Sequence, residues 1–579
     1  MKDHALHRLL PYLKKYRQRI LWGMLMVACT NVFALVSPWI LKQAIDTLSR
    51  GFNRSTLLWY AGLIVGAALI EGVFRFAMRR ILIGVSRDVE YDLRNDFFAH
   101  LELLSASFYQ KHATGDIMSR ATNDLSAVRM VLGPGIMYSV NTITISIMAT
   151  ALLFKISVPL TVLAIVPLAL VSITVKKFGA IVHARFEKIQ EQLSNISTQV
   201  QESLAGIRVV RAYNRERAFI RQFEEANQEY FRRNLSLIRV SGLFHPLNAL
   251  FLGMSSVLLL WYGGRQVIQG DITLGEFVAF ISYLAMLIWP TVALGWVVNI
   301  FQRGAASMGR INQLLDAVPE IQDRDVNPVT IRGEIEVRHL NFSYNGAQVL
   351  HDISFRVPAG SRLAVVGRTG AGKSTLVQLL GRLYPVSDGS IFIDGVDINR
   401  IPLTNLRRSL GFVPQDAFLF SETIGGNIAF GDTGGSTERM QEAARVAGLE
   451  QDIESFPRQF ETVVGERGIT LSGGQKQRAT IARALFVEPR ILVLDDSLSS
   501  VDTYTEERIL NRLAQAASGC TTVLVSHRIS TVQSADQILV LDQGRIVERG
   551  THQELLRNGG LYADLYEKQL LKEELGVNS

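Results

Sequence analysis

Six apolar runs, each about 20 residues long, constrain what this chain can fold into more than anything else in it. They cover residues 20–41, 57–78, 135–154, 157–175, 242–262 and 277–300. As a helix, such a run crosses about 30 Å of hydrocarbon, and a helix satisfies its own N–H and C=O groups where no water reaches. Composition agrees. Of 579 residues 48% are hydrophobic, an ordinary share, but only 20% are charged, below the usual level of about 25%. Two Cys in the whole chain exclude a disulfide framework and a clustered cysteine zinc site, and 46 Gly with 15 Pro exclude collagen-like and low-complexity chains.

Charge placement orients the runs. The basic stretch KKYRQR at 14–19 precedes the first run, which is too long for a signal-peptide core and ends without a small-residue cleavage site. The expectation is a retained first span with a cytoplasmic N-terminus. Short segments join spans one to two, three to four and five to six. Long polar stretches at 79–129 and 176–239 keep helical periodicity and carry Lys176, Lys177, Arg208, Arg211, Arg215, Arg217, Arg232 and Arg233. The positive-inside rule puts these stretches in the cytoplasm and reads the net charge of +7 as topology, with no nucleic acid bound. The expected organisation is an all-α membrane domain of six helices over 1–318, a polar linker over 319–333, and an α/β domain over 334–579 whose short β-rich runs alternate with helical segments.

Directly after the strand RLAVV comes GRTGAGKST at 367–375, which fits G-x-x-x-x-G-K-[ST] between a strand and a helix. Average composition would produce the bare pattern by accident in a chain this long with a probability on the order of 2%. Gly367, Arg368, Thr369, Gly370, Ala371, Gly372 and Thr375 form a loop whose N–H groups can face phosphates, Lys373 reaches the β and γ oxygens, and Ser374 coordinates Mg²⁺. Farther on, ILVLDD delivers Asp495 and Asp496 to a sheet edge, where Asp495 is the expected Mg²⁺ partner through water. These elements indicate an NTPase and leave open what it drives.

Between them lies LSGGQKQR at 471–478. With the six spans, it makes the whole chain resemble an ATP-binding cassette (ABC) half-transporter of the type IV exporter class, similar to multidrug and lipid exporters. The resemblance implies a six-helix membrane domain followed by an α/β P-loop ATPase domain, with ATP and Mg²⁺ as cofactors. It implies that Ser472, Gly473, Gly474 and Gln475 contact the γ-phosphate held by the opposite subunit, so that two chains must meet. It also implies that Tyr344 in NFSY stacks on adenine, that Gln415 in VPQD senses Mg²⁺ and the membrane domain, and that His527 in VSHR contacts the γ-phosphate. SSVD, ending at Asp502, is similar to the D-loop of such exporters. VVGERG at 463–468 is similar to the segment that touches the partner's cytoplasmic loops, and SFYQKHATGDIMSRATND and QESLAGIRVVRAYNRE resemble the two cytoplasmic loops themselves. The implied setting is the inner or plasma membrane, among lipid, with the ATPase domain in the cytoplasm and an amphipathic small molecule or lipid as cargo.

One residue departs from the pattern. The family usually places Glu after the strand-end aspartate, as the base that polarises the attacking water; here it is Asp496, shorter by one carbon–carbon bond of roughly 1.5 Å. In related exporters such an Asp marks the slow half of a heterodimer whose partner retains Glu. A homodimer with Asp496 as working base, and an ATP-gated channel or regulatory subunit, are the alternatives. Toward the cargo, Glu71 and Arg75 stand four apart on one helix face and suit either a structural ion pair or a substrate contact. Residues 141–146 (NTITIS), Trp289 and Pro290 suit either a cavity or helix packing with a kink.

Overall fold

The structure, a computed structural model, describes residues 5–51, 53–323, 329–432, 434–465, 468, 471–499, 501–516 and 519–574. It divides into two compact units, Met1–Glu102 with Thr114–Ala317 and Leu103–Ala113 with Val318–Ser579.

The first unit is built of helices joined by short turns, with no strand among its described residues. Among the described residues five helices are long and apolar enough to cross a membrane: Arg17–Leu48, Arg54–Glu102, Thr114–Ile156, Glu216–Gln269 and Leu274–Leu315. The expected fourth span, 157–175, opens the helix Val158–Ala205; the apolar stretch Val158–Pro167 is described there, whereas the side chains of 168–172, 175 and 176 lie outside the described residues. Arg54–Glu102 has 49 residues and so runs about 74 Å at 1.5 Å per residue, more than twice the hydrocarbon thickness. Its excess is the charged stretch after residue 78. There Asp88, Asp92 and Asp96, one helical turn apart, accept hydrogen bonds from Arg19 (2.5 Å), Lys15 (2.7 Å) and Tyr12 (2.5 Å). The basic run at 14–19 therefore also zips one helix to the next. Nearby, the buried carboxylate of Glu90 is ringed by Arg94 (2.7 Å), Arg87 (3.3 Å) and Arg129 (3.2 Å).

The sixth span is two helices set end to end, Leu274–Met286 and Ile288–Leu315, joined at Leu287. Pro290 has no N–H to give the Met286 carbonyl four residues back, and its ring crowds that carbonyl, so the regular ladder fails there. The Leu287 N–H turns instead to Leu284 O at 3.0 Å.

The second unit is built on two sheets. Its strands are β1 (Ile335–Tyr344), β2 (Ala347–Val357), β3 (Arg362–Gly367), β4 (Ile391–Ile393), β5 (Val396–Asp397), β6 (Leu410–Val413), β7 (Ile491–Asp495), β8 (Thr521–Val525), β9 (Gln537–Asp542) and β10 (Arg545–Gly550). The larger sheet has the order β10-β9-β3-β8-β7-β6, the smaller β2-β1-β4-β5. β9, β3, β8, β7 and β6 are parallel and β10 is antiparallel at the edge. Because successive side chains alternate between faces, continuous apolar strands serve two cores at once. Val366, Leu492, Leu494 and Val540 pack on one face, and Leu363, Val365, Val493 and Val523 on the other.

The short helix Ala106–Lys111 belongs with this second unit although its flanks belong to the first. Ala106 packs on the core, Ser105 donates to Glu320 Oε2 at 2.8 Å, and Gln110 Nε2 donates to Tyr384 Oη at 2.5 Å.

Two outcomes follow. Removing one partner of a fully buried ion pair costs about 3–5 kcal/mol, but Arg87 and Arg94 reach water, so Glu90→Ala is expected to cost about 2 kcal/mol, read as a lowered thermal midpoint of the protein in lipid nanodiscs. Tyr384→Phe removes the acceptor for Gln110, a loss of about 1.4 kcal/mol; amide exchange at 106–111 should quicken roughly tenfold.

Candidate nucleotide site

Parallel neighbours β3, β8 and β7 end on the same side of the sheet, which brings Gly367, His527 and the Asp495–Asp496 pair to one edge. In open α/β sheets this carboxyl edge is where ligands bind. Gly367 has φ of +151°, and a Cβ there would stand 2.1 Å from the Leu541 carbonyl oxygen, so only glycine lets β3 leave the sheet this close to β9. Gly372, at φ +96°, caps the helix Lys373–Leu380, and the intervening loop turns its backbone toward the helix N-terminus.

Lys373 is buried and gives its ammonium to the loop's own carbonyls, Gly367 O at 2.9 Å and Arg368 O at 3.0 Å. Burial pushes its pKa below the ordinary lysine value, while Asp496 and Asp495 pull it back up. Ser374 Oγ donates to Asp495 Oδ1 at 2.9 Å. Burial raises the Asp495 carboxyl and the charge of Asp496 adds to this, whereas Ser374 and Lys373 hold it down. A buried ammonium beside free helix N–H groups suits phosphate oxygens, and a hydroxyl paired with a carboxylate at the strand end suits a hard divalent cation. The residues present therefore fit a magnesium nucleotide.

Asp496 is half-buried with φ of +45°, a left-handed conformation that Asp tolerates better than longer side chains. Its N–H bonds Val525 O at 2.9 Å, and its carbonyl accepts from Ser499 Oγ at 3.0 Å. His527 follows β8. Burial and then the charge of Lys373 push its imidazole pKa below the ordinary value, against the pull of Asp496. At the other side of the loop, Tyr344 at the end of β1 directs its hydroxyl to Thr375 Oγ1 (3.4 Å) and Gln378 Oε1 (3.5 Å), its ring edge-on to Tyr384 at 5.2 Å.

The structure thus gathers Tyr344, the loop 367–375, Asp495, Asp496 and His527. Gln415 is exposed in the loop after β6. The segment 472–475 stands at the start of a different helix, Gly473–Phe486, where Ser472 and Gln475 form a reciprocal capping box. No hydrogen bond or ion pair joins it to the loop 367–375 among the described residues. Its N-terminal residues Ser472 and Gly473 are exposed, and Asp452 steadies Gln475 (2.8 Å) and Arg478 (2.7 Å). Asp502 caps the next helix by accepting from the Thr505 N–H at 2.9 Å, a bond that holds its carboxyl below the usual range. Ser500, Glu466, Arg467, Ile469 and Thr470 lie outside the described residues, and with them part of SSVD and of VVGERG.

Sequence reasoning passed over four residues that hold this arrangement. Arg528, adjacent to His527, donates to the buried Glu506 at 2.5 Å and to Ser499 O and Val501 O, both at 3.2 Å, which ties the His527 loop to the segment before Asp502. Tyr384 and Gln110 stand behind Tyr344. Arg528 had a signal in its place beside the motif histidine, and Gln110 in its place within SFYQKHATGDIMSRATND; Glu506 and Tyr384 are brought in by folding.

Comparison with known proteins fits this geometry. Residues 20–291 match the ABC transporter transmembrane region and residues 350–499 the ABC transporter ATPase family. The chain is 40% identical over 567 residues to the probable multidrug resistance ABC transporter ATP-binding/permease protein YheI of Bacillus subtilis, covering 97% of each. It is 34% identical over 571 residues to the multidrug resistance-like ATP-binding protein MdlA of Escherichia coli, covering 97% of this chain and 96% of that one. The structure of a bacterial Atm1-family ABC exporter with ATP bound superposes with a TM-score of 0.78 at 31% identity, over 96% of this chain and 99% of the other. A membrane region and a nucleotide-binding sheet edge in this order, alike from end to end with exporters, make the chain a member of the ABC transporter family, a multi-pass exporter half-transporter with its own ATPase domain.

Proposed function

We propose that this chain is one half of an ATP-driven efflux pump in the cell membrane, with its N-terminus and ATPase domain in the cytoplasm. It moves an amphipathic small molecule or lipid by alternating access, a two-state change biased by nucleotide. Tyr344 stacks on adenine, the loop from Gly367 to Thr375 and Lys373 hold the phosphates, and His527 contacts the γ-phosphate. Ser374, Asp495 and Gln415 hold Mg²⁺, which when bound neutralises charge on the transferred phosphoryl group. Ser472, Gly473, Gly474 and Gln475 serve the site of the partner chain, for which an exposed, capped helix N-terminus is well suited.

The partner is a different half-transporter. The observation that carries this is Asp496, standing beside Lys373 and His527 where exporters of this type usually have Glu. Its carboxylate falls short by about 1.5 Å, and misplacement of about 1 Å costs on the order of 100-fold in rate. The intact LSGGQ segment points the same way: this chain completes a fast site on its partner and keeps the slow site for itself.

Lys373→Ala should weaken ATP binding by roughly 10- to 100-fold, the equivalent of about 1.5–3 kcal/mol from lost charge-assisted hydrogen bonds, as read by titration with a fluorescent ATP analogue. For the asymmetry, the ATPase rate is measured for the chain alone and with each candidate partner half. The chain alone should be slow, Asp496→Glu should speed it by roughly 100-fold, and one partner should restore turnover that Asp496→Glu barely improves. Brisk hydrolysis by the unaltered chain alone overturns the asymmetry and makes Asp496 the working base of a homodimer.

A further inference from the structure

A cavity of about 360 Å³ lies inside the first unit, within the volume range of small-ligand sites. Four of the expected spans contribute to it, Asn31 from the first, Arg75 from the second, Tyr138 and Asn141 from the third, and Trp289 from the sixth, and Arg79 joins them from the first residue past the second. Pro290, which breaks the sixth span, lines it as well.

Its charge is unbalanced. Arg75 is paired with Glu71 on the preceding turn of the same helix. Arg79 stands one turn farther along and has no carboxylate within ion-pair distance among the described residues. The three side chains sum to one positive charge, −1 from Glu71 and +1 from each arginine. Arg79 is exposed at the end of the apolar run, where lipid gives way to water, so its charge is open to an anionic group there. Asn31 is almost fully buried, and its side-chain N–H₂ makes only a long bond of 3.4 Å to Asn141 O, so it has donor capacity to spare for an acceptor in the cavity. Met78, Met137 and Met286 also line the wall, and Tyr138 is held edge-on against Trp296 at 5.1 Å. Unbranched thioethers adapt to chains of differing shape.

Resting on the exporter reading above, we propose that this cavity receives the head of an amphipath with a single negative charge, a carboxylate or phosphodiester on an apolar tail. Arg79 is the charge partner, Asn31 a hydrogen-bond donor, and Trp289 with the methionines the bed for the first part of the tail. Glu71 sets the charge count: by engaging Arg75 it leaves room for one anionic group and disfavours cationic heads.

The test uses the full chain in phosphatidylcholine nanodiscs and two fluorescent probes with the same tail, dansylaminoundecanoic acid and the corresponding dansyl undecylamine. The acid should bind at least tenfold more tightly than the amine. Arg79→Gln should weaken the acid at least tenfold and leave the amine unchanged, Arg79→Lys should retain most of the acid's affinity, and Glu71→Gln should strengthen it. Equal binding of acid and amine, or an Arg79→Gln effect on both alike, overturns the proposal. Displacement of the acid by phosphatidylglycerol in the disc upholds it with a membrane lipid as the source. Displacement by soluble decanoate alone upholds it with a free amphipath, and displacement by neither overturns it. ATP-dependent transport in inverted vesicles separates the two levels. Movement of the amine without preference for the acid keeps the exporter and sinks the anionic head. An acid bound at Arg79 with no probe transported sinks the exporter and keeps the site.

Discussion

A peptide N–H or C=O left unpaired in hydrocarbon costs several kcal/mol, and the first unit is arranged around avoiding that cost. Helices pair these groups within themselves, so long apolar runs must be helical, and nothing in water forces them to stop at the membrane surface. They continue as charged helices such as Arg54–Glu102, which hold together by ion pairs once lipid no longer covers them. The ladder from Asp88, Asp92 and Asp96 to Arg19, Lys15 and Tyr12 begins where the apolar face ends. At Pro290 the helical ladder fails, and the break borders a cavity that Asn31, Arg75 and Asn141 also line, the setting in which irregular backbone at membrane depth is tolerated.

The second unit obeys a different constraint, the shared direction of parallel strands. Because β3, β8 and β7 are adjacent and parallel, the residues after each of them converge without any long-range recognition between the motifs themselves. Lys373, Asp495, Asp496 and His527 then set one another's electrostatics: burial lowers Lys373 and His527 and raises Asp495. Such a site is poised for an anion, since phosphate would relieve the buried ammonium of its dependence on the loop's own carbonyls. The segment 472–475 stands apart from this convergence, at the start of the helix Gly473–Phe486.

Much of this was readable from residue order. The six runs, the phosphate loop and the strand-end aspartates are local patterns, each set by the period of a helix or the needs of a tight turn. The helical periodicity of 79–129 likewise carries the second-span helix past residue 78, as Arg54–Glu102 does, because charged residues at helical spacing continue a helix as readily as apolar ones do. In the run at 277–300 Pro290 makes a kink readable, but a proline inside an apolar stretch shows only that a ladder bond is lost and not where the two helices part. Glu506 and Tyr384 carried no pattern of their own, and Arg528 and Gln110 only a place beside or within a motif. Their importance comes from partners 22 to 274 residues away in sequence.

The sequence by itself determined what each stretch must be: hydrophobic length dictated helices that can span a bilayer, and glycine, lysine and serine spacing dictated a phosphate loop, because both follow from short-range backbone geometry. Tertiary structure alone decided which side chains meet. It carried Leu103–Ala113 into the second unit, set Tyr384 between Tyr344 and Gln110, and left Arg79 with no carboxylate in ion-pair distance among the described residues, beside a paired Glu71 and Arg75. Contacts of this kind depend on strand order and helix packing, which sum over the whole chain and leave no mark at any one position.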